Sequence, residues 1–543
     1  LVKNIMTKNL QLIIPMSGIG KRFIEAGYTD PKPLINVDGK PIIERVVNLF
    51  PNVTDITFIC NEKHLKETNM RDVLTKISPN CKIFEVPLGI GKGPVHAVSQ
   101  IFDNIQDDKE IIISYCDYGT VWDFEKFLNE TKNWDAMIPC YTGFHPHMLG
   151  SDNYAFCKEE NKKLIQIKEK ESFTNNKMSE YASNGTYYFK SGKMVKKYFK
   201  ELIDLDINLN GEYYVSLVYN LLVRDNFNVG IFEIEKMLQW GTPYDLEIYK
   251  GWSNYFSNIV TEQPKIKIDK ETTILLPMSG KGSRFQEKGY NIPKPFLDIN
   301  GKPMFIQAVN CLPKINNHIF ICLQEHLDNY DITSDLNKNY KNYSIIPINK
   351  VTNGQACTCE IGLKETNFDL EKPILISACD NGVYFNSEKY NELLNDESVD
   401  IIVWSFRNNQ TSKVNPNMYS WLDVDDNDNV KSVSCKKFIF DDPLKTHAII
   451  GTMFFRKSKY FIDGLKENYK NNFMTNNEYY VDDVLNRNIE MGLNVKVFEV
   501  ENYICWGTPD DYETYNYWKD FFNECTWHIY NIKNDITNKN KIF

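Results

Sequence analysis

The sequence predicts two tandem α/β domains, each built on a mixed, mostly parallel sheet. Three observations predict this. The chain has 543 residues, and a single core rarely grows past roughly 250–300. A long internal repeat carries the same motifs in the same order. Short apolar runs alternate with helical patterns, as in parallel-sheet proteins.

The repeat comes first because it sets the architecture. Residues 15–51 read PMSGIGKRFIEAGYTDPKPLINVDGKPIIERVVNLFP. Residues 277–313 read PMSGKGSRFQEKGYNIPKPFLDINGKPMFIQAVNCLP, and about half the positions are identical without a gap. Further on, ISYCDYG (113–119) answers ISACDNG (376–382), and NGTYYF (184–189) answers IGTMFF (450–455). EYYV recurs at 212–215 and 478–481, and WGTP at 240–243 and 506–509. The repeating unit is therefore a whole domain. The expected domains are 1–262 and 263–543, joined near the polar stretch TEQPKIKIDKE (261–271). IYKGWSNYF reads as the closing helix of the first copy, with TYNYWKDFF as its counterpart. The Asn- and Lys-rich tail after Thr526 is expected to fray.

Gln11–Pro15 and Thr273–Pro277 are apolar runs that enter a glycine loop, and each reads as a buried parallel strand. Ile111–Ser114 and Ile374–Ser377 read the same way, each reaching an Asp three residues later. Ligands in such sheets sit beyond the carboxyl ends of the strands. The glycine loop and the Asp both fall there, which predicts one site per copy.

Bulk properties narrow the partners. A formal net charge of −10 argues against nucleic acid and against an anionic membrane surface. It leaves room for a small phosphorylated ligand in a local cationic pocket. No apolar run reaches the roughly 20 residues of a membrane span. The 13 cysteines have no framework spacing, so free thiols and a cytoplasmic location are expected. Cys357 and Cys359 are too close and too isolated for a zinc site. Oligomeric state stays open.

The loop Gly18-Ile19-Gly20-Lys21-Arg22 leaves a strand directly. Two glycines let backbone N–H groups approach phosphates, and Arg22 adds a forked cation. Gly280, Gly282 and Arg284 stand in register. No Gly-Lys-Ser/Thr follows, so this is no P-loop, and the third glycine of a dinucleotide fingerprint is missing. Prolines flank Lys32 and Lys294 and hold each in an extended, stiff segment; a rigid lysine there suits developing negative charge. Asp117 and Asp380 end apolar strands, where a carboxylate can hold Mg²⁺ bridging phosphates. The bland alternatives are a tight turn, a proline-braced surface loop and a helix cap.

The run PMSGxGxRF, then PKP, strand-CD, GT and WGTP resembles the sugar-phosphate nucleotidylyltransferases, over nearly all of both halves. The resemblance implies a Rossmann-like nucleotidyltransferase (GT-A type) fold. It implies attack of a substrate phosphate on the α-phosphorus of a nucleoside triphosphate, with loss of pyrophosphate and Mg²⁺ as cofactor. By the resemblance, Arg22 and Arg284 hold the departing phosphates and Lys32 and Lys294 stabilise the α-phosphate. Asp117 and Asp380 bind the metal. Gly93, and Gly354 with Gln355, lie along the nucleobase. Lys170, Glu212, Lys436 and Glu478 fall where the family contacts the acceptor.

Departures accompany these matches. The family's second metal-binding Asp is replaced by residues near Gln239 and Cys505, and Asp245 and Asp511 read as helix caps. Pro94 stands where the second copy has Gln355, so the two copies are open to different bases. His145 and His147 read either as contacts to a phosphorylated substrate or as a turn packed on its neighbours. Asp423-Val424-Asp425-Asp426 reads as a solvated hairpin. The leading expectation is a bifunctional enzyme with different acceptors in the two domains, serving surface-polysaccharide precursors. The alternatives are one catalytic and one degenerate regulatory copy, or a metal-dependent nucleotide-sugar glycosyltransferase.

Overall fold

A computed structural model describes residues 9–87, 92–261 and 271–538. Its contacts divide the chain into units 1–250 and 251–543. The division falls inside the helix Pro243–Asn258, earlier than the boundary expected at 262/263. Most of the predicted joint, 262–270, lies outside the described residues.

The first unit has one large mixed sheet. Lys82–Val86, Asp55–Asn61, Leu10–Met16 and Glu110–Ser114 lie side by side and parallel. Thr186–Phe189 then inserts antiparallel between Glu110–Ser114 and Ala136–Tyr141. Beyond it come Val229–Glu233, parallel to Ala136–Tyr141, and the antiparallel pair Lys163–Glu169 and Ala155–Glu160. Parallel strands in a β–loop–α rhythm end on the same side, so this half of the sheet holds its loops together. The core joins Ile13, Ile59, Ile113 and Ile138 to Val195, Phe199, Val218 and Leu222 of the covering helices.

The second unit repeats the parallel half with Asn342–Ile348, Asn317–Leu323, Thr273–Pro277 and Ile374–Ile376. His447–Phe455 pairs antiparallel with both Ile374–Ile376 and Ile401–Phe406. Trp421–Val424 and Val430–Ser434 form a hairpin whose turn is closed by Asp425, which accepts from Asn427 and Asn429. The acidic run is thus a hairpin turn. Cys357 and Cys359 sit two apart on the helix Gln355–Glu365, and Cys357 accepts from the Tyr469 hydroxyl. All 13 cysteines are free thiols. No helix among the described residues is long and apolar enough to cross a membrane.

One expectation is overturned. The segment after Thr526 does not fray over its described part, to residue 538. Asp535 and Tyr530 are buried, and Gln307 Nε2 donates to Thr537 Oγ1 at 2.6 Å. Asp535 accepts from Thr537 and Tyr530. Asn-rich composition masked two buried polar anchors.

Candidate active site

Strand order places the site. In the first unit, Leu10–Met16 and Glu110–Ser114 are adjacent and parallel, so the glycine loop and Asp117 leave the sheet together. A two-stranded ribbon, Tyr118–Val121 with Lys236–Gln239, then carries the chain to WGTP. Trp240 N donates to Asp117 O at 3.0 Å, and Trp506 N to Asp380 O at 2.8 Å. WGTP therefore braces the aspartate's backbone.

The glycines divide their work. Gly20 (φ 70°) and Gly282 (φ 62°) are left-handed and open short helices, a conformation that disfavours side chains. At Gly18 and Gly280 a Cβ would meet nothing within 4 Å. Their open side is the room a phosphate needs beside the backbone.

Lys32 follows Pro31 in a tight turn, and its Nζ lies 2.7 Å from Asp117 Oδ2. Lys294 stands 2.6 Å from Asp380 Oδ2. Burial works against each ammonium, but the neighbouring aspartate outweighs it and holds both pKa values above the ordinary lysine value. Burial alone would raise Asp380; Lys294 and Arg284 hold it below the usual carboxylate range.

Gly93 (φ 88°) and Gly354 (φ 120°) begin the helices Pro94–Ser99 and Gln355–Glu365. A Cβ on Gly93 would lie 2.7 Å from Tyr213 N, and on Gly354 2.5 Å from Tyr479 O. Tyr213 N donates to Lys92 O and Val95 N to Tyr213 O; Tyr479 does the same with Asn353 and Ala356. These glycines are required by the EYYV backbone pressed against them. Gln355 occupies the first helical position in the second unit, as Pro94 does in the first.

Lys170 (φ 56°) and Lys436 (φ 52°) both hold left-handed backbone, which a long side chain adopts only where its surroundings compel it. Lys170 Nζ donates to Tyr214 OH at 2.6 Å, and Tyr214 OH to Glu212. Lys436 Nζ donates to Met418 O at 2.6 Å and lies 5.6 Å from the Tyr480 ring.

In the first unit these parts share one cavity of 580 Å³. Gly18, Gly20, Arg22, Lys32 and Asp117 line it, as do Gly93, Lys170 and Glu212. All eight residues singled out in that half are therefore brought together. In the second unit, Arg284, Lys294 and Lys436 all act electrostatically on Asp380.

Among the cavity residues that sequence reasoning missed are Glu169 and Asn184. Ser216 Oγ donates to Glu169 Oε2 at 2.5 Å, and burial pushes Glu169 up to about 7. Asn184 is buried, and its Nδ2 has no hydrogen-bond partner. The only available signal for Glu169 was its place beside Lys170; Asn184 opened a repeated motif but differs from its counterpart Ile450.

His145 and His147 do not line the cavity. His147 Nε2 hydrogen-bonds with Tyr141 OH at 2.9 Å, and both rings pack on Tyr141. Burial pushes His145 down to about 4 and His147 below its ordinary value. Packing is their observed role.

The donor set bears on metal. Among the described residues no three His, Cys, Asp or Glu side chains group as a metal cage. Gln239 Oε1 and Cys505 Sγ instead accept from Gly241 N and Gly507 N, each at 3.3 Å. Asp245 and Asp511 exchange hydrogen bonds with Thr242 and Thr508 at helix starts. One strand-end carboxylate per unit suits Mg²⁺ that arrives on phosphates and keeps several waters. It does not suit a metal caged by protein alone.

Residues 12–208 match the nucleotidyl transferase family model. That match covers a little over a third of the chain, all of it within the first unit. The chain is 29% identical over 233 residues to the bifunctional protein GlmU of Buchnera aphidicola subsp. Baizongia pistaciae (strain Bp), covering 42% of this chain and 48% of that protein. It is 26% identical over 131 residues to UTP–glucose-1-phosphate uridylyltransferase of Escherichia coli (strain K12), covering 20% of this chain and 43% of that one. The chain thus spans less than half the length of these curated relatives. Among solved structures, a nucleoside-diphosphate-sugar pyrophosphorylase from Vibrio cholerae RC9 aligns with TM-score 0.38 and 21% identity, over 44% of this chain and 99% of that one. The inositol-1-phosphate CTP transferase from T. maritima aligns with TM-score 0.37 and 16% identity, over 47% and 98%.

Proposed function

We propose that this chain is a sugar-phosphate-type nucleotidylyltransferase with one site per unit, each transferring a nucleoside monophosphate from a triphosphate to a phosphorylated acceptor. The observation that carries the reading is the shared cavity. It has a phosphate-suited end (Gly18, Arg22, Lys32) and an acceptor end (Glu169, Lys170, Glu212), with Asp117 between the motifs.

The chemistry needs no side-chain nucleophile. An anionic phosphate oxygen of the acceptor attacks the α-phosphorus, a new P–O bond forms, and the bond to pyrophosphate breaks. Catalysis is then positioning plus charge stabilisation. Gly18, Gly20 and Arg22 hold the departing phosphates, and Lys32 faces the charge that builds at the α-phosphate. Lys170 meets the acceptor phosphate. Mg²⁺, when bound, would be held by Asp117 and neutralise phosphate charge. Arg284, Lys294, Asp380, Lys436 and Glu478 take the same roles in the second unit. Two units with unlike acceptor ends support two acceptors, in a bifunctional enzyme making activated precursors for surface glycans.

The test is a pyrophosphate-release panel of four nucleoside triphosphates against sugar 1-phosphates and phospho-alcohols. It is run on wild type, Lys32→Ala and Lys294→Ala. Two activities, each lost in one variant only, are expected. Loss of one shared activity in both variants would defeat the idea of two independent sites.

A further inference from the structure

The turn Ser183-Asn184-Gly185 joins Tyr181–Ser183 to Thr186–Phe189 at the wall of the first unit's cavity. Asn184 Oδ1 accepts from Thr186 N at 3.0 Å, and Asn184 N donates to Pro139 O. These two bonds fix the residue and leave one end of its amide over. Asn184 is 1% exposed, and its Nδ2 finds no hydrogen-bond partner among the described residues. It lines the cavity with Tyr115, Glu169, Lys170 and Tyr187. Gly185 (φ 92°) presses the turn on Tyr115, whose Cδ2 would lie 3.2 Å from a Cβ there. Glu169 and Tyr187 act electrostatically on the same Tyr115. A buried N–H without a partner is costly, so an occupant that brings an oxygen to Asn184 is favoured.

The second unit keeps one of these five side chains and exchanges the rest. Lys170 is matched by Lys436. Tyr115, Asn184 and Tyr187 are matched by Ala378, Ile450 and Met453, and Glu169 by Cys435. The backbone frame is the same. Ile376 pairs with Met453 as Ile113 pairs with Tyr187, and Gly451 (φ 78°) is left-handed as Gly185 is. The change therefore lies in what the side chains offer. In the proposed reaction the retained lysine meets the phosphate of the acceptor substrate. The exchanged groups then face the part of that substrate beyond its phosphate, where two acceptors would differ.

Hydrogen-bond chemistry selects the ligand. A hydroxyl accepts from an amide N–H and donates to a carboxyl such as Glu169; an alkyl group does neither, and an ammonium group cannot accept. A site built to bond a substrate hydroxyl rejects the analogue that lacks it, because its own polar group is then left bare. We propose that Asn184 makes the first unit selective for a sugar phosphate, by donating from Nδ2 to one hydroxyl of the sugar ring. The second unit has no such donor at Ile450.

This rests on the transferase reading, and the experiment separates the two. The full chain with Lys294→Ala, which leaves the first unit to act alone, is assayed for pyrophosphate release with four triphosphates. The acceptors are the 1-phosphates of glucose, galactose and mannose, with glycerol phosphate and phosphoethanolamine. A sugar phosphate is expected to be used best, and its monodeoxy analogues are then compared. One analogue is expected to lose ~10-fold or more in kcat/KM. Asn184→Ala and Asn184→Ser, made in the same background, should lose a similar factor on the full sugar and become indifferent to that one hydroxyl. The triphosphate's KM should change little. The serine can still accept from Thr186 N, as Ser183 Oγ does from Gly185 N at 3.2 Å, so a folding defect in the alanine variant does not blur the reading. A parent that treats every analogue alike overturns the inference alone, and so does a gap that survives both substitutions, since a bound water would satisfy the amide equally for every acceptor. Preference for glycerol phosphate or phosphoethanolamine does the same, as does activity in wild type with none in this background. Absence of pyrophosphate with every pair, in this background and in wild type, fells the transferase reading and the inference with it.

Discussion

Lys32 Nζ and Asp117 Oδ2 lie 2.7 Å apart in the first unit, and their counterparts Lys294 and Asp380 repeat the pair at 2.6 Å. The predicted phosphate cation and the predicted metal carboxylate are thus partners before any substrate is bound. Each satisfies the other, so neither charge is buried alone. In the proposed reaction, a metal-bound triphosphate would exchange that pair for two new ones: lysine to phosphate and carboxylate to metal.

Removing one member leaves the other uncompensated and, in the proposed reaction, removes stabilisation at the α-phosphate. Lys32→Ala is expected to lower the first unit's turnover ~10²–10³-fold, the effect of losing a preorganised charge partner. Lys294→Ala should do the same to the second activity only. Steady-state pyrophosphate release with each unit's preferred pair checks both. Equal turnover in Lys32→Ala and wild type would remove the lysine from the chemistry.

Gly354 and Tyr479 offer a second test. A Cβ on Gly354 would sit 2.5 Å from Tyr479 O and would also force φ 120° on a residue with a side chain. Backbone cannot swing away as a side-chain tip can. Gly354→Ala should therefore cost about 1–3 kcal/mol of second-unit stability and raise the acceptor KM through Glu478. Denaturant unfolding and acceptor titration check this; a variant as stable as wild type would contradict the close approach.

Much of the proposed phosphate half was legible as a candidate because its signals are local. Gly18, Arg22, Lys32 and Asp117 each lie in a short motif that recurs intact in the second copy. The proposed acceptor half is assembled from strands distant in sequence, and there the repeat misleads. Glu169 aligns with Cys435, so comparison of the copies hid it. Gly93 was legible as special, but its reason was not: the Tyr213 backbone that excludes a Cβ lies far along the chain. The tail failed for the opposite cause. Composition around Asn531 and Asn538 spoke of solvent, and only the fold shows Thr537 beside Gln307.

Glu169 predicts a pH dependence. Burial raises its folded pKa from the ordinary glutamate value of 4.5 to about 7, so the folded state holds the proton more tightly than the unfolded chain. That contribution to stability is fully present below the unfolded pKa and fades as pH rises through about 7. First-unit stability should therefore decline between these two values for wild type. Glu169→Gln, which cannot ionise, should flatten that slope. Melting temperatures from pH 4 to 8 in matched buffers, roughly half a unit apart, measure it. An identical slope in the variant would mean Glu169 is ionised throughout.

The tail carries the last prediction. Asp535 is fully buried and accepts from Thr537 N and Oγ1, at 2.8 and 2.6 Å, and from Tyr530 OH at 3.1 Å. Asn300 Nδ2 approaches it at 3.4 Å, from the turn that follows the lysine segment. Asp535→Ala would leave these donors buried without an acceptor, at about 1–3 kcal/mol for each that water cannot reach. Relaxation of a chain end lets water reach some of them, so a loss of about 2–4 kcal/mol in second-unit stability is expected. Asp535→Asn keeps an acceptor oxygen and should recover part of it. Urea unfolding of the full chain, followed by tryptophan fluorescence, reads the change. A loss confined to Asp535→Ala identifies the tail as a structural strap on the second unit; no loss in either variant would return it to the frayed end its composition suggested.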